Sequence, residues 1–162
     1  MNLNELARNP VFLGVSIFWF LDSYVSNSNS RGVHFSLISI AITISLEVDL
    51  RKSLPSRVNV SVETWGRTHA DLVLLLPGLV KSNFDAVAHG LSLALNQEWV
   101  MIDELLVVSP NSIYKKDIRK RIVSMQSEVW IEFCKKLLFM GRWFPRYGNE
   151  FDNQIMMGLN YD

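Results

Sequence analysis

Residues 10–25 constrain this chain more than any other stretch. Asn9-Pro10 opens a helix, with asparagine as cap and proline at the first helical position, where its missing N–H costs nothing. Behind it come Val11, Phe12, Leu13, Val15, Ile17, Phe18, Trp19, Phe20 and Leu21, which cover almost every face. A helix that is apolar all round must be buried all round. Two arrangements satisfy this: the helix is the centre of a self-contained core, or another protein covers one side.

Composition bears on that choice. The chain has 162 residues, enough for one domain with a real core. It is 49% hydrophobic, with five Trp and nine Phe. Charged residues make up 20%, below the usual share of about 25%. Sixteen basic and sixteen acidic residues leave a formal net charge of zero, so a globally basic nucleic-acid binder is not indicated. A neutral, apolar chain suits an obligate subunit, because permanent interfaces resemble cores cut in half. The one cysteine, Cys134, rules out a disulfide framework and a CxxC metal site. Lys135 and Lys136 beside it favour a lowered thiol pKa, but no base partner is identifiable, and a buried inert cysteine is expected. The start of the chain has no basic region or small-residue cleavage pattern, so a cytoplasmic location is expected. The apolar runs 11–21 and 33–46 both fall short of the roughly 18–20 residues that cross a bilayer, so no membrane is expected.

Residues 35–46 are rich in isoleucine and fit a buried strand or a helix, and the length of the run favours helix. Asp49-Leu50-Arg51-Lys52 reads as solvated, and Leu54-Pro55 closes the N-terminal part, 1–54. A short helix over 61–67 holds Trp65. A second runs over 70–80 with Pro77-Gly78 near its end, and a third is capped by Ser82-Asn83 and carries Phe84, Val87, Ala88, Leu91 and Leu95. Two short apolar strands follow, 99–102 and 105–108, broken by Asp103-Glu104. Helices followed by a hairpin describe a winged helix-turn-helix over 55–108. The expected fold is therefore mainly α: one domain with a winged helix-turn-helix core, a small β-hairpin wing, buried N-terminal helices and a C-terminal amphipathic helix in a basic arm, 109–162.

A DNA-reading winged helix sends Arg or Lys from its recognition helix toward bases and phosphates. Here that helix has no Arg or Lys after Lys81, and the wing tip is Asp103-Glu104. Protein binding is favoured over sequence-specific DNA reading. Further on, Lys115, Lys116, Arg119, Lys120 and Arg121 sit within seven positions. In one helix, Ile118, Ile122, Met125, Val129, Phe133, Leu137 and Met140 would form an apolar stripe opposite them. The basic face is then either solvated or a strip that contacts phosphates without reading sequence. Gly141 is expected to end this helix. In Arg142-Trp143-Phe144-Pro145-Arg146-Tyr147, aromatics between arginines make a candidate docking anchor or a cover for the core. The tail 154–159 is apolar enough to pack.

His34, His69 and His89 are far apart and match no ligand pattern. The glycines form no phosphate loop, and no pair of carboxylates stands at a defensible spacing. No catalytic activity, cofactor or metal is expected.

The order of these features resembles the middle component of three-component ABC-ATPase systems, including Lamassu-type bacterial defence. The resemblance rests on Arg8-Asn9-Pro10 with its aromatic helix, the apolar 35–46 segment before Leu54-Pro55, and Trp65. It continues through His89-Gly90-Leu91, Gly141-Arg142-Trp143-Phe144 and Met157-Gly158-Leu159. It implies a non-catalytic accessory subunit that bridges an SMC/Rad50-like ABC ATPase and an effector, often a nuclease, in defence against phage or plasmid DNA. On that reading Phe12, Phe18, Trp19, Phe35, Arg142, Trp143 and Phe144 are candidate partner-interface residues. Lys115, Lys116, Arg119, Lys120 and Arg121 are candidates for non-specific DNA contact through the complex. The alternative is a stand-alone winged-helix transcriptional regulator, dimeric through its N-terminal helices.

Overall fold

The computed structural model describes residues 3–124, 127–148, 153, 154, 157 and 158. The chain is mainly helical with one three-stranded antiparallel sheet. Its elements are α1 (Leu3–Leu6), α2 (Pro10–Ser26), β1 (Val33–His34), α3 (Phe35–Leu46), α4 (Val48–Ser53), α5 (Val62–Thr68) and α6 (Ala70–Asn96). Then follow β2 (Val100–Ile102), β3 (Val107–Pro110), α7 (Lys115–Ser124) and α8 (Glu128–Trp143), with short 3-10 turns before α7 and after α8.

Helix α2 is the centre of a self-contained core. Asn9 caps it, its Oδ1 accepting from the backbone N–H of Val11 at 2.9 Å and of Phe12 at 3.3 Å. Phe12, Val15, Ile17, Phe18, Phe20 and Leu21 are fully buried within this chain. Helices α6 and α8 supply most of the cover, with α3 on a further side. The contacts are close because glycine stands at each crossing. A Cβ on Gly90 of α6 would lie 2.5 Å from Leu13 Cβ, and one on Gly141 of α8 would lie 2.5 Å from Ser23 Cβ. Ser23 Oγ also donates across the second crossing to the Leu138 carbonyl at 2.9 Å.

The segment 35–46 is a helix, with every residue from Leu37 to Leu46 buried. His34 caps it, Nδ1 accepting from Ser36 N–H at 3.3 Å. Residues 49–52, expected to be solvated, are so only at Asp49 and Lys52. They belong to α4, where Leu50 and Arg51 are buried. Arg51 Nη1 donates to the Ser45 carbonyl at 2.6 Å and the Leu46 carbonyl at 3.3 Å, satisfying acceptors that the end of α3 leaves open.

Between 61 and 96 there are two helices where three were expected. Ser61 caps α5, its Oγ accepting from Thr64 N–H at 3.0 Å. Helix α6 then runs straight through Pro77-Gly78. Ser82-Asn83 caps nothing; Asn83 Nδ2 donates instead to Glu47 Oε1 at 3.4 Å. Packing of α6 on α2 and α3 holds the helix together across a proline that would break it in isolation. The helix-then-hairpin order of a winged helix is present, with a third strand added. Strand β3 lies in the middle of the sheet, pairing with β2 (Ile102 opposite Val108) and with β1 (Val33 opposite Val108).

The C-terminal arm also departs from one continuous helix. Ser127 caps a separate α8, its Oγ accepting from Trp130 N–H at 3.2 Å. Ile118, Phe133, Leu137 and Met140 are fully buried, whereas Val129 is exposed. The Ile122 side chain and Met125 lie outside the described residues. Gly141 does not end α8, which continues to Trp143. In the tail, Gln154 and Met157 are buried, and Ile155, Met156 and Leu159 lie outside the described residues.

Candidate interaction surface

With so much of the chain enclosed, the apolar groups that remain outside become informative. The turn between β2 and β3 is built by Asp103. Its Oδ1 accepts from the N–H of Leu105 and of Val107, both at 2.9 Å, and its backbone carbonyl accepts from Leu106 N–H at 3.1 Å. This draws Leu105 and Leu106 out of the strand expected at 105–108 and into the turn. Leu105 is 75% exposed and Leu106 52%. Leu106 adopts φ +59°, the left-handed region in which glycine or asparagine is usual.

The apolar surface continues from this tip. The Leu106 carbonyl accepts from Phe35 N–H at 3.1 Å. The Phe35 ring then meets the Phe84 ring of α6 edge-on, with centroids 5.6 Å apart. Phe84 is itself half exposed. On the hairpin, Met101 and Ile102 of edge strand β2 are also exposed. The hairpin tip is thus tied by a backbone hydrogen bond to the start of α3, whose Phe35 meets Phe84 in the middle of α6. The hairpin's base is anchored where Asn111 Nδ2 donates to the Glu98 carbonyl at 3.0 Å and Tyr114 Oη donates to Glu98 Oε2 at 3.1 Å. That carboxylate, by hydrogen bond and charge, holds the Tyr114 phenol above its ordinary pKa.

The residues expected at a partner interface divide sharply. Phe12, Phe18, Trp143 and Phe144 are fully buried in this chain's own core, so their rings face no partner in the folded subunit. Trp143 stacks at 5.7 Å edge-on with Trp65, and its Nε1 donates to the Val60 carbonyl at 2.6 Å. Trp19 and Phe35 are half-buried, and Phe35 is the one that joins the hairpin face. Arg142 is exposed. Sequence reasoning missed Leu105, Leu106 and Phe84 as surface groups. Their signal was a pair of leucines directly behind Asp103-Glu104, a break so polar that the residues next to it stay at the surface.

Among the basic strip, Lys115 Nζ pairs with Asp22 of α2 at 2.8 Å, and the Arg121 guanidinium lies over the Trp99 ring at 5.4 Å. Lys116, Arg119 and Lys120 are exposed. The histidines do local work. His34 caps α3, and the His69 ring packs against Trp65 with Nδ1 3.0 Å from its carbonyl oxygen. Cys134 is buried in apolar surroundings that push its thiol up to about 12. Among the described residues no three His, Cys, Asp or Glu side chains gather into a metal site, and no helix is long and apolar enough to cross a membrane.

No curated protein and no solved structure matches this chain. The family model of Middle Component 3 of ABC-three component systems matches residues 1–160, nearly the whole chain. A subunit with a closed core and a strained apolar hairpin on its surface belongs, by that match, to the Middle Component 3 family of ABC-three component systems.

Proposed function

We propose that this chain is a non-catalytic cytoplasmic bridge, linking an SMC/Rad50-like ABC ATPase to an effector, a nuclease in the simplest case, within a Lamassu-type response to phage or plasmid DNA. The observation that carries this reading is the group of exposed apolar side chains at Leu105 and Leu106, with Phe35 and Phe84 packed together beside the same hairpin. Its large exposed side chains stand outside a well-enclosed core, and exposed apolar patches mark protein partners. Membership of a multi-component system supplies partners to occupy it. The resemblance of its motifs to Lamassu middle components supports the defence setting.

On this account the docking residues are Leu105, Leu106, Met101, Phe35 and Phe84, with Trp19 beside the buried helices. The buried Trp143 and Phe144 act indirectly, by holding the fold. Lys116, Arg119 and Lys120 are the members of the basic strip left free to meet DNA held by the ATPase.

A tagged pull-down from the native host, at low and at high salt, tests the reading. An SMC-like ATPase retained at high salt is the expected result, because an apolar interface is not screened. A chain that comes down alone, as a homodimer bound to specific DNA, would overturn it in favour of a regulator.

A further inference from the structure

Arg57, distant in sequence from Arg142 and Arg146, lines one recess with them. Arg142 on α8 and Arg146 on the following 3-10 turn lie one helical turn apart. Arg57 faces them from the segment before α5, and Asn27, Ser56 and Phe139 complete the wall. The recess has a volume of about 380 Å³, within the range of small-ligand sites.

The arrangement is built, not incidental. Trp143 Nε1 donates to the Val60 carbonyl, and Tyr147 Oη donates to the Val58 carbonyl, each at 2.6 Å. These two bonds from the arginine-bearing turn fix alternate residues of the segment that carries Arg57. The backbone beside Arg57 is thereby fixed, and the Arg57, Arg142 and Arg146 side chains are exposed at the recess.

Arg57, Arg142 and Arg146 then line one recess, and among the described residues its lining contains no carboxylate. Among the described residues the ion pairs are Arg51–Glu132, Arg67–Glu63 and Lys115–Asp22, so none involves these three. The Arg146 guanidinium lies 6.0 Å from the Tyr147 ring centroid, and α2 ends at Asn27 with about half a negative charge. Both offset only part of three positive charges. Arginine cannot relieve the repulsion by losing a proton. In a chain of zero net charge, such a concentration calls for an anion. Guanidinium forks match phosphate oxygens in bidentate pairs.

We infer that this recess binds a phosphate ester of a nucleotide, clamped by Arg57, Arg142 and Arg146. The same chemistry is presented by a free nucleotide and by a nucleic-acid backbone. The test uses the full chain, alone or co-purified with its system, and follows both melting temperature and calorimetric binding. The probes are pyrophosphate, ATP and a mixed-sequence DNA oligonucleotide, against sodium chloride at matched ionic strength. Saturable binding with a rise in melting temperature is expected. Arg57→Ala and Arg142→Ala each weaken it about tenfold or more, by loss of a charge-assisted bond, and Arg57→Lys restores only part. In phosphate-free buffer the alanine variants melt no lower than the parent. Arg119→Ala, on α7, leaves binding unchanged. Binding of pyrophosphate or ATP assigns a free nucleotide; binding of the oligonucleotide alone assigns a backbone phosphate. A melting shift equalled by sodium chloride, or binding that survives both alanine variants, overturns the inference.

Discussion

Leu106 holds φ +59°, where a side chain crowds the neighbouring carbonyl at a cost of roughly 1–2 kcal/mol. Glycine would adopt that turn without strain, at an entropic cost of roughly 0.5–1 kcal/mol. The two nearly cancel, so Leu106→Gly is expected to melt within a few degrees of the parent, as differential scanning calorimetry would record. On the proposed reading, a leucine kept there, half exposed and strained, serves a partner contact. Cys134 makes a second prediction at this scale. Burial raises its pKa from 9.0 to about 12. Below the lower value the thiol keeps its proton folded and unfolded, and stability does not depend on it. Between pH 9 and about 12 the unfolded chain releases a proton that the folded chain retains, so stability falls as pH rises. Denaturant melts across that window should show a shallower alkaline decline in Cys134→Ala than in the parent.

The helix crossings give the prediction at the scale of elements. Gly78, Gly90 and Gly141 all lie inside helices. Alanine gains about 1 kcal/mol over glycine in a helix interior. At Gly78 a Cβ meets nothing within 4 Å, so Gly78→Ala should raise the melting temperature by about 2–4 °C. At Gly90 it would meet Leu13 Cβ at 2.5 Å and Gly14 N at 3.2 Å, and at Gly141 the backbone of Tyr24 at 2.9 Å. Overpacking costs about 1–3 kcal/mol or more and outweighs the helical gain, so both alanines should lower the melt. A rise in either would contradict the packing described. Elements with a local signal were legible in the sequence: Asn9-Pro10, the short helix that holds Trp65, the helix at 35–46 and the hairpin. Elements decided by tertiary contact were not. Strand β1 is two residues long and exists only by pairing with β3. Helix α6 survives Pro77 because its neighbours hold it. The break before α8 was written in Ser127-Glu128, a capping serine and an acidic first turn, but an uninterrupted apolar stripe masked it.

At the scale of the molecule, the apolar composition has two destinations. Most of it encloses α2, including the Trp143 and Phe144 that sequence reasoning assigned to a partner. Of the remainder, Met101, Ile102, Leu105, Leu106 and Phe84 are exposed on and around the hairpin, and Leu74, Leu75 and Ile113 are exposed as well. Which aromatics turn inward depends on where α8 crosses α2, and no spacing in the sequence encodes that crossing. The meeting of Arg57 with Arg142 and Arg146 was hidden for the same reason. The basic strip belongs to this scale too, because the DNA contact proposed for it would be made through the assembled complex. Replacing Lys116, Arg119 and Lys120 by Ala should leave assembly intact and lower the slope of log affinity against log salt by about 0.9 for each phosphate no longer neutralised. An unchanged slope would make the strip a solvated face.

The claim that the hairpin face holds the complex together is tested most directly by co-purifying the subunit with its native partners in three forms: parent, Leu106→Gly, and Leu105→Glu with Leu106→Gly. Leu106→Gly should weaken retention of the ATPase at high salt and the double variant should abolish it, while all three melt within a few degrees of one another. Full retention by a folded double variant would place the interface elsewhere and contradict the account.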